Sequence, residues 1–175
     1  MKIIYIKIKN YKSIRELEIN DIENALILVG KNNTGKTSVI DALLLASDLK
    51  PAPAHEFLDI TKPIDISIQI EFTEEDLNYY YSRGILCKSN SFEKWFEEFK
   101  ERIPSYKDGI VSFTFHNNPN GTTRYNDGFN KHNPDIEKII PKIYHIDQTR
   151  NLEALQNDVF SFYDKESFQK LKENE

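Results

Sequence analysis

The chain has a single cysteine, Cys87, in 175 residues, so it has no internal disulfide and no multi-cysteine zinc site. Its four histidines, at 55, 116, 132 and 145, do not fall at metal-ligand spacing, and no Ser, His and Asp set suggests a hydrolase triad. No apolar run is long enough to span a bilayer and no signal peptide opens the sequence, which makes a cytoplasmic location the expectation. Positive charge is not in excess either. With 23 Lys and Arg against 28 Asp and Glu, the net charge of -5 gives no electrostatic footprint for nucleic acid. Repeats, low-complexity tracts and flexible linkers are missing as well. A hydrophobic content of 39% suffices for one ordinary core.

Against these absences one motif stands out. Gly30-Lys31-Asn32-Asn33-Thr34-Gly35-Lys36-Thr37 matches the phosphate-binding pattern G-x-x-x-x-G-K-[ST]. Its glycines let successive backbone N–H groups turn inward onto phosphate oxygens, where a Cβ atom would obstruct them. Lys36 is expected to reach the β- and γ-phosphates and the Thr37 hydroxyl to ligate Mg²⁺; Lys31, Asn32, Asn33 and Thr34 contribute backbone amides, and Ser38 follows as a further candidate. The flanks agree with a strand–loop–helix unit. Ala25 to Val29 is an unbroken apolar run, expected to be a central strand buried on both faces of a parallel sheet. Val39, Ile40, Leu43, Leu44 and Ala46 keep helical spacing until Pro51.

Elsewhere the patterns are local and clear. Ile4, Ile6 and Ile8, then Leu17 and Ile19, alternate with polar residues as two strands, joined by the turn Asn10 to Arg15 with its two cations. Solvated hairpin charges are one reading of Lys12 and Arg15 there and the preferred one for Arg15, although the turn is a candidate neighbour of bound nucleotide. Ile64 to Phe72 is the cleanest alternation, with one wet face, so its sheet is expected to be antiparallel. Thr73 with Asp76 resembles a capping box, and Ser91 introduces Phe92, Trp95, Phe96 and Phe99 at helical spacing, an aromatic stripe suited to core packing. Val111, Phe113 and Phe115, the turn Asn117 to Gly121, and Thr122 to Tyr125 form a hairpin. A short helical stretch ends at Pro141, Ile143 to Ile146 reads as a strand, and the pattern turns helical again from Leu152. The acidic clusters Glu74-Glu75-Asp76 and Glu97-Glu98 are solvated helix faces.

Hydrolysis needs more than the loop, chiefly a carboxylate near Mg²⁺ and a group that positions water. No segment after Thr37 has four apolar residues followed by Asp-Glu. The nearest imitation, Ile143 to Asp147, is interrupted by His145 and followed by Gln148, whose amide oxygen is the preferred candidate ligand for Mg²⁺ or its water.

Lys2 to Ile14 and Leu28 to Leu43 together resemble the start of an ABC-type chromosome-maintenance and repair ATPase, of the group that includes RecF, SMC and OLD-like proteins. In that group an Asn-Phe-Arg-Ser-like opening precedes the phosphate loop. The resemblance implies an α/β P-loop NTPase fold: an ABC-ATPase-like N-terminal lobe over residues 1–151, with a mixed sheet around the loop helix and an antiparallel β insertion. It implies ATP and Mg²⁺ as cofactors. Lys12 and Ser13 then occupy the nucleotide-flanking turn, with Lys12 where arginine is usual, and Ile143 to Asn151 is the glutamine loop, assigning Gln148 to Mg²⁺ and γ-phosphate sensing. Residues 152–175 become a helical tail leading toward a C-terminal lobe.

In such families a second subunit completes the site with a Leu-Ser-Gly-Gly-type signature. This chain has no such signature, no Asp-Glu pair and no later histidine switch, so no catalytic residue is assigned and little turnover is expected from it alone. The implied function is ATP binding, with hydrolysis in the complete or dimeric enzyme, in DNA repair, chromosome maintenance or phage defence; DNA is engaged only through the complete protein. The partners expected are nucleotide and a second subunit or C-terminal lobe, with no membrane. The alternative is a nucleotide-gated interaction module that does not hydrolyse. A small GTPase is disfavoured because Asn130-Lys131-His132-Asn133 lacks the guanine-reading aspartate, and no basic lid supports a kinase.

Overall fold

The computed structural model describes residues 1–31, 35–141 and 143. Contacts divide the chain into two units, Met1–Ile143 and Tyr144–Glu175, and the account below is of the first. The expected boundary at 151/152, the strand from Ile143 to Ile146, and the glutamine loop fall outside the described residues.

Five strands build one sheet: β1 (Lys2–Tyr11), β2 (Ile14–Ile19), β3 (Ile64–Glu71), β4 (Ile110–Asn117) and β5 (Thr123–Asn126), in the order β2-β1-β3-β4-β5. Every pair is antiparallel. Alternation decides which face is dry. Ile6 and Ile8 on β1, Ile64, Ile66, Ile68 and Ile70 on β3, and Val111, Phe113 and Phe115 on β4 are all buried, while the residues between them carry the polar face. On that face Lys7 pairs with Glu16 and Glu18 across β2, and Ser67 meets Thr114 at 2.9 Å.

Helix α1 (Lys36–Asp48) packs Val39, Ala42 and Ala46 onto the dry face. α2 (Glu74–Ser82) begins with the expected capping box, in which the Thr73 hydroxyl accepts from the Asp76 N–H and the Asp76 carboxylate accepts from the Thr73 N–H. α3 (Phe92–Arg102) is capped by Ser91. Its aromatic stripe is core, as expected: Trp95 and Phe99 are fully buried, and the Trp95 indole N–H donates to the Ile85 carbonyl at 3.0 Å. α4 (Ile136–Ile139) closes the described chain and buries Ile136 and Ile139.

One expectation is overturned. Residues 25–29 join none of the five strands, and they are not buried: Ile27 is 81% and Val29 90% exposed. An apolar run has the composition of a central strand, but a central strand also needs a neighbour on each side to pair its backbone. Among the described residues no strand pairs with this one, so the mixed parallel character expected around α1 is not seen there and the sheet is antiparallel throughout.

Two buried asparagines join the connections to the sheet. Asn10 adopts a positive φ of 60° at the end of β1. Its amide donates to the Asp59 and Lys62 carbonyls and its oxygen accepts from the Asp59 N–H. Asn117 accepts from the Ala52 N–H at 2.7 Å, which fixes the chain as it leaves α1.

Candidate phosphate-binding site

The N-terminus of α1 differs from those of its neighbours in a way that the sequence motif explains. α2 and α3 have side-chain caps and acidic residues in their first turns. α1 has neither: its N-cap is Gly35, with no capping side chain and no acidic residue in the first turn. The first intrahelical bond runs from the Val39 N–H to the Gly35 carbonyl. The N–H groups of Lys36, Thr37 and Ser38 therefore have no carbonyl four residues back within the helix, and together with the positive end of the helix dipole they favour an anion.

Gly35 holds φ at +88°, a conformation in which an L side chain is strained. Beyond it, the Ser13 hydroxyl lies 3.5 Å from where a Cβ on Gly35 would sit. The β1–β2 turn thus abuts the candidate phosphate loop at Gly35. Ser13, Arg15, Leu17, Leu28, Val29, Gly30, Gly35 and Lys36 are among the walls of a cleft of ≈ 490 Å³, within the size range of small-ligand sites.

Lys36 donates to the Gly30 carbonyl at 2.7 Å and to the Lys31 carbonyl at 2.6 Å. The ammonium is thus held on the loop's own backbone. Thr37 is exposed and Ser38 partly buried; a threonine hydroxyl is a hard oxygen donor of the kind that Mg²⁺ takes. Asn32, Asn33, Thr34 and Gln148 fall outside the described residues. Among the described residues no group of three or more His, Cys, Asp or Glu is placed to hold a metal.

Lys12 has a more constrained position than a solvated turn charge. It has a positive φ of 50°, and its N–H donates to the Glu56 carbonyl at 2.6 Å. Its ammonium donates to Asp41 Oδ2 at 2.6 Å and lies 3.4 Å from Glu56 Oε1. Burial works against this cation, but the bond to Asp41 and the charges of Asp41 and Glu56 outweigh it, and the Lys12 pKa is raised. The Tyr11 hydroxyl donates to Glu56 Oε2 at 3.0 Å. Burial first, then the Glu56 charge, hold that phenol well above the ordinary value.

Arg15 is exposed, lines the cleft, and has no partner among the described residues. Among the described residues one carboxylate lies on the cleft wall, Glu16, and it is paired to Lys7 at 3.0 Å and Lys9 at 3.3 Å. Asp41 and Glu56 were missed in the sequence. Asp41 left a faint signal, a lone acid in an apolar helical run; Glu56, on the 3-10 turn Ala54–Glu56, left none.

The AAA ATPase domain family matches the chain over residues 1–175. The chain belongs to that family, a class of ATP-binding ATPases. No curated protein matches it by sequence. Among solved structures, one resembling the chain comes from work on the structural biochemistry of ATP-driven dimerization and DNA stimulated activation of SMC ATPases. It is 17% identical, with a TM-score of 0.42 over 71% of this chain and 68% of that one.

Proposed function

We propose that residues 30–37 bind the triphosphate of ATP and that the chain is the N-terminal nucleotide-binding part of an ABC-type ATPase. The observation that carries this reading is the N-terminus of α1, which has neither a side-chain cap nor an acidic residue in its first turn and opens at Gly35 and Lys36 on the wall of one cleft, whereas α2 and α3 are capped by side chains. Gly30, Lys31, Asn32, Asn33, Thr34 and Gly35 supply backbone amides, Lys36 the ammonium, and Ser38 a first-turn group, with Lys12 and Ser13 on the flank. Thr37, and Gln148 from the segment after α4, are the proposed holders of Mg²⁺, which when bound neutralises phosphate charge.

In this reading residues 1–151 form the lobe and 152–175 lead toward a C-terminal lobe, and hydrolysis requires a second subunit or that lobe. Among the described residues the carboxylate on the cleft wall, Glu16, is already committed to two lysines, which supports little turnover by the chain alone and keeps a non-hydrolysing, nucleotide-gated module as the second reading. DNA repair, chromosome maintenance and phage defence are the roles proposed for the complete protein. Among the described residues no helix is long and apolar enough to cross a membrane.

Calorimetric titration of Mg²⁺-ATP into the parent chain and into Lys36→Ala tests the site. Binding by the parent and its loss in the folded variant are expected; equal affinities overturn the reading. Rapid ATP turnover by the purified chain would show that its catalytic groups lie within it.

A further inference from the structure

A lysine on a nucleotide-flanking turn invites the assumption that it touches phosphate. The contacts of Lys12 point elsewhere. Its ammonium is engaged by Asp41, in the second turn of α1, and by Glu56, on the 3-10 turn that follows that helix. All three side chains are part-buried, at 30%, 28% and 18% exposure for Lys12, Asp41 and Glu56. The two carboxylates bracket one cation, and Tyr11 ties the second carboxylate to β1. The backbone adds to the same arrangement through the Lys12 N–H to the Glu56 carbonyl and the bridge between Tyr11 and Phe57.

We propose that Lys12, Asp41 and Glu56 form a brace that sets the register between the phosphate-loop helix and the β1–β2 turn, and that Lys12 is a positioning residue acting on nucleotide through Asp41. The inference rests on residues 30–37 being the nucleotide site. Asp41 lies within α1 and Ser13 follows Lys12 directly, so the Lys12–Asp41 bond ties the Ser13 turn to the helix that Gly35 caps, and both Ser13 and Gly35 line the cleft. Charge-assisted bonds of this kind are short and directional, and with both partners part-buried they resist screening better than surface pairs. Removing either partner lets the turn and the helix move independently. Removing both adds little further harm.

The test separates the brace from direct phosphate contact by the sign of one variant. If Lys12 contacts phosphate and Asp41 merely competes for it, Asp41→Asn frees the lysine and tightens Mg²⁺-ATP binding. The brace predicts the reverse: Asp41→Asn and Lys12→Met each weaken binding by about tenfold, the double variant is no weaker than either single, and Asp41→Glu stays within about threefold of the parent. Binding is measured by calorimetry on the full chain, with thermal melts to verify folding; Lys12→Gln replaces Lys12→Met in the cycle if the latter does not fold. Tighter binding by Asp41→Asn, or losses that multiply in the double variant, overturns the proposal. A parent that binds and loses affinity only on Lys36→Ala overturns the brace alone, whereas a parent that takes up no nucleotide overturns the site with it.

Discussion

The Tyr125 hydroxyl on β5 donates to the Ala46 carbonyl of α1 at 2.6 Å, and Thr123 donates to the Leu49 carbonyl at 3.0 Å. The last carbonyls of a helix have no partner within it; at α1 a side chain of β5 supplies that of Ala46, and a second supplies that of the C-cap residue Leu49. The helix is therefore held to the sheet at its C-terminal end by β5 and nearer its start by Lys12. Tyr125→Phe keeps the ring and its edge-on packing against Phe113 but leaves a buried carbonyl unpaired. It should lower stability by about 1 to 2 kcal/mol in urea denaturation.

Lys36→Ala should separate binding from folding. The lysine bonds to the carbonyls of its own loop, so its loss should change stability by no more than about 0.5 kcal/mol while removing most Mg²⁺-ATP affinity. Thermal melts beside calorimetry check both halves.

Gly35→Ala tests the backbone rather than the charge. The added Cβ meets only ordinary contact with Ser13, so its effect comes from the φ of +88°, a strain of about 1 to 2 kcal/mol. A folded but destabilised protein with weakened nucleotide binding is the expected outcome of the same two measurements.

Trp95→Ala removes a fully buried ring and leaves the Ile85 carbonyl without its indole donor. The expected loss is about 3 to 5 kcal/mol, a fall in melting temperature on the order of 10 °C.

Alkaline pH should destabilise the fold through its buried phenols. Burial pushes the Tyr80 hydroxyl, which donates to the Ile139 carbonyl, from 10.0 up to about 12, and burial raises Tyr125 also. The unfolded chain gives up these protons at lower pH than the folded one. Their contribution is complete below about pH 10 and is lost as pH rises through the folded values. Denaturation midpoints measured from pH 8 to 12 should fall over that window, and less steeply in Tyr80→Phe.

Much of this was readable from sequence wherever the signal was local. Alternation at Ile64 to Phe72, the Thr73 and Asp76 box, and the aromatic stripe from Phe92 each depend on residues within a few positions, and each formed as read. The loop motif likewise predicted a helix opening at about Thr37, and α1 begins at Lys36. What failed was Ala25 to Val29, because composition reports a capacity for burial, whereas burial itself needs partner strands from elsewhere. The Lys12 contacts were hidden for a related reason. Asp41 and Glu56 lie 29 and 44 positions farther along the chain, and their approach depends on how α1 crosses the sheet.

The pairing of β1 with β3 joins segments far apart in the chain. Lys2 aligns with Glu71 and Lys9 with Asp65, so β2, the nucleotide loop and α1 all lie within one large chain closure. The entropy of such a closure grows only slowly with length, but it is spent before the contacts it permits are gained. The proposed phosphate loop is therefore expected to form in the late, cooperative part of folding. Its appearance in a refolding experiment, followed with a fluorescent nucleotide, should coincide with zipping of this strand pair rather than with the earlier formation of helices.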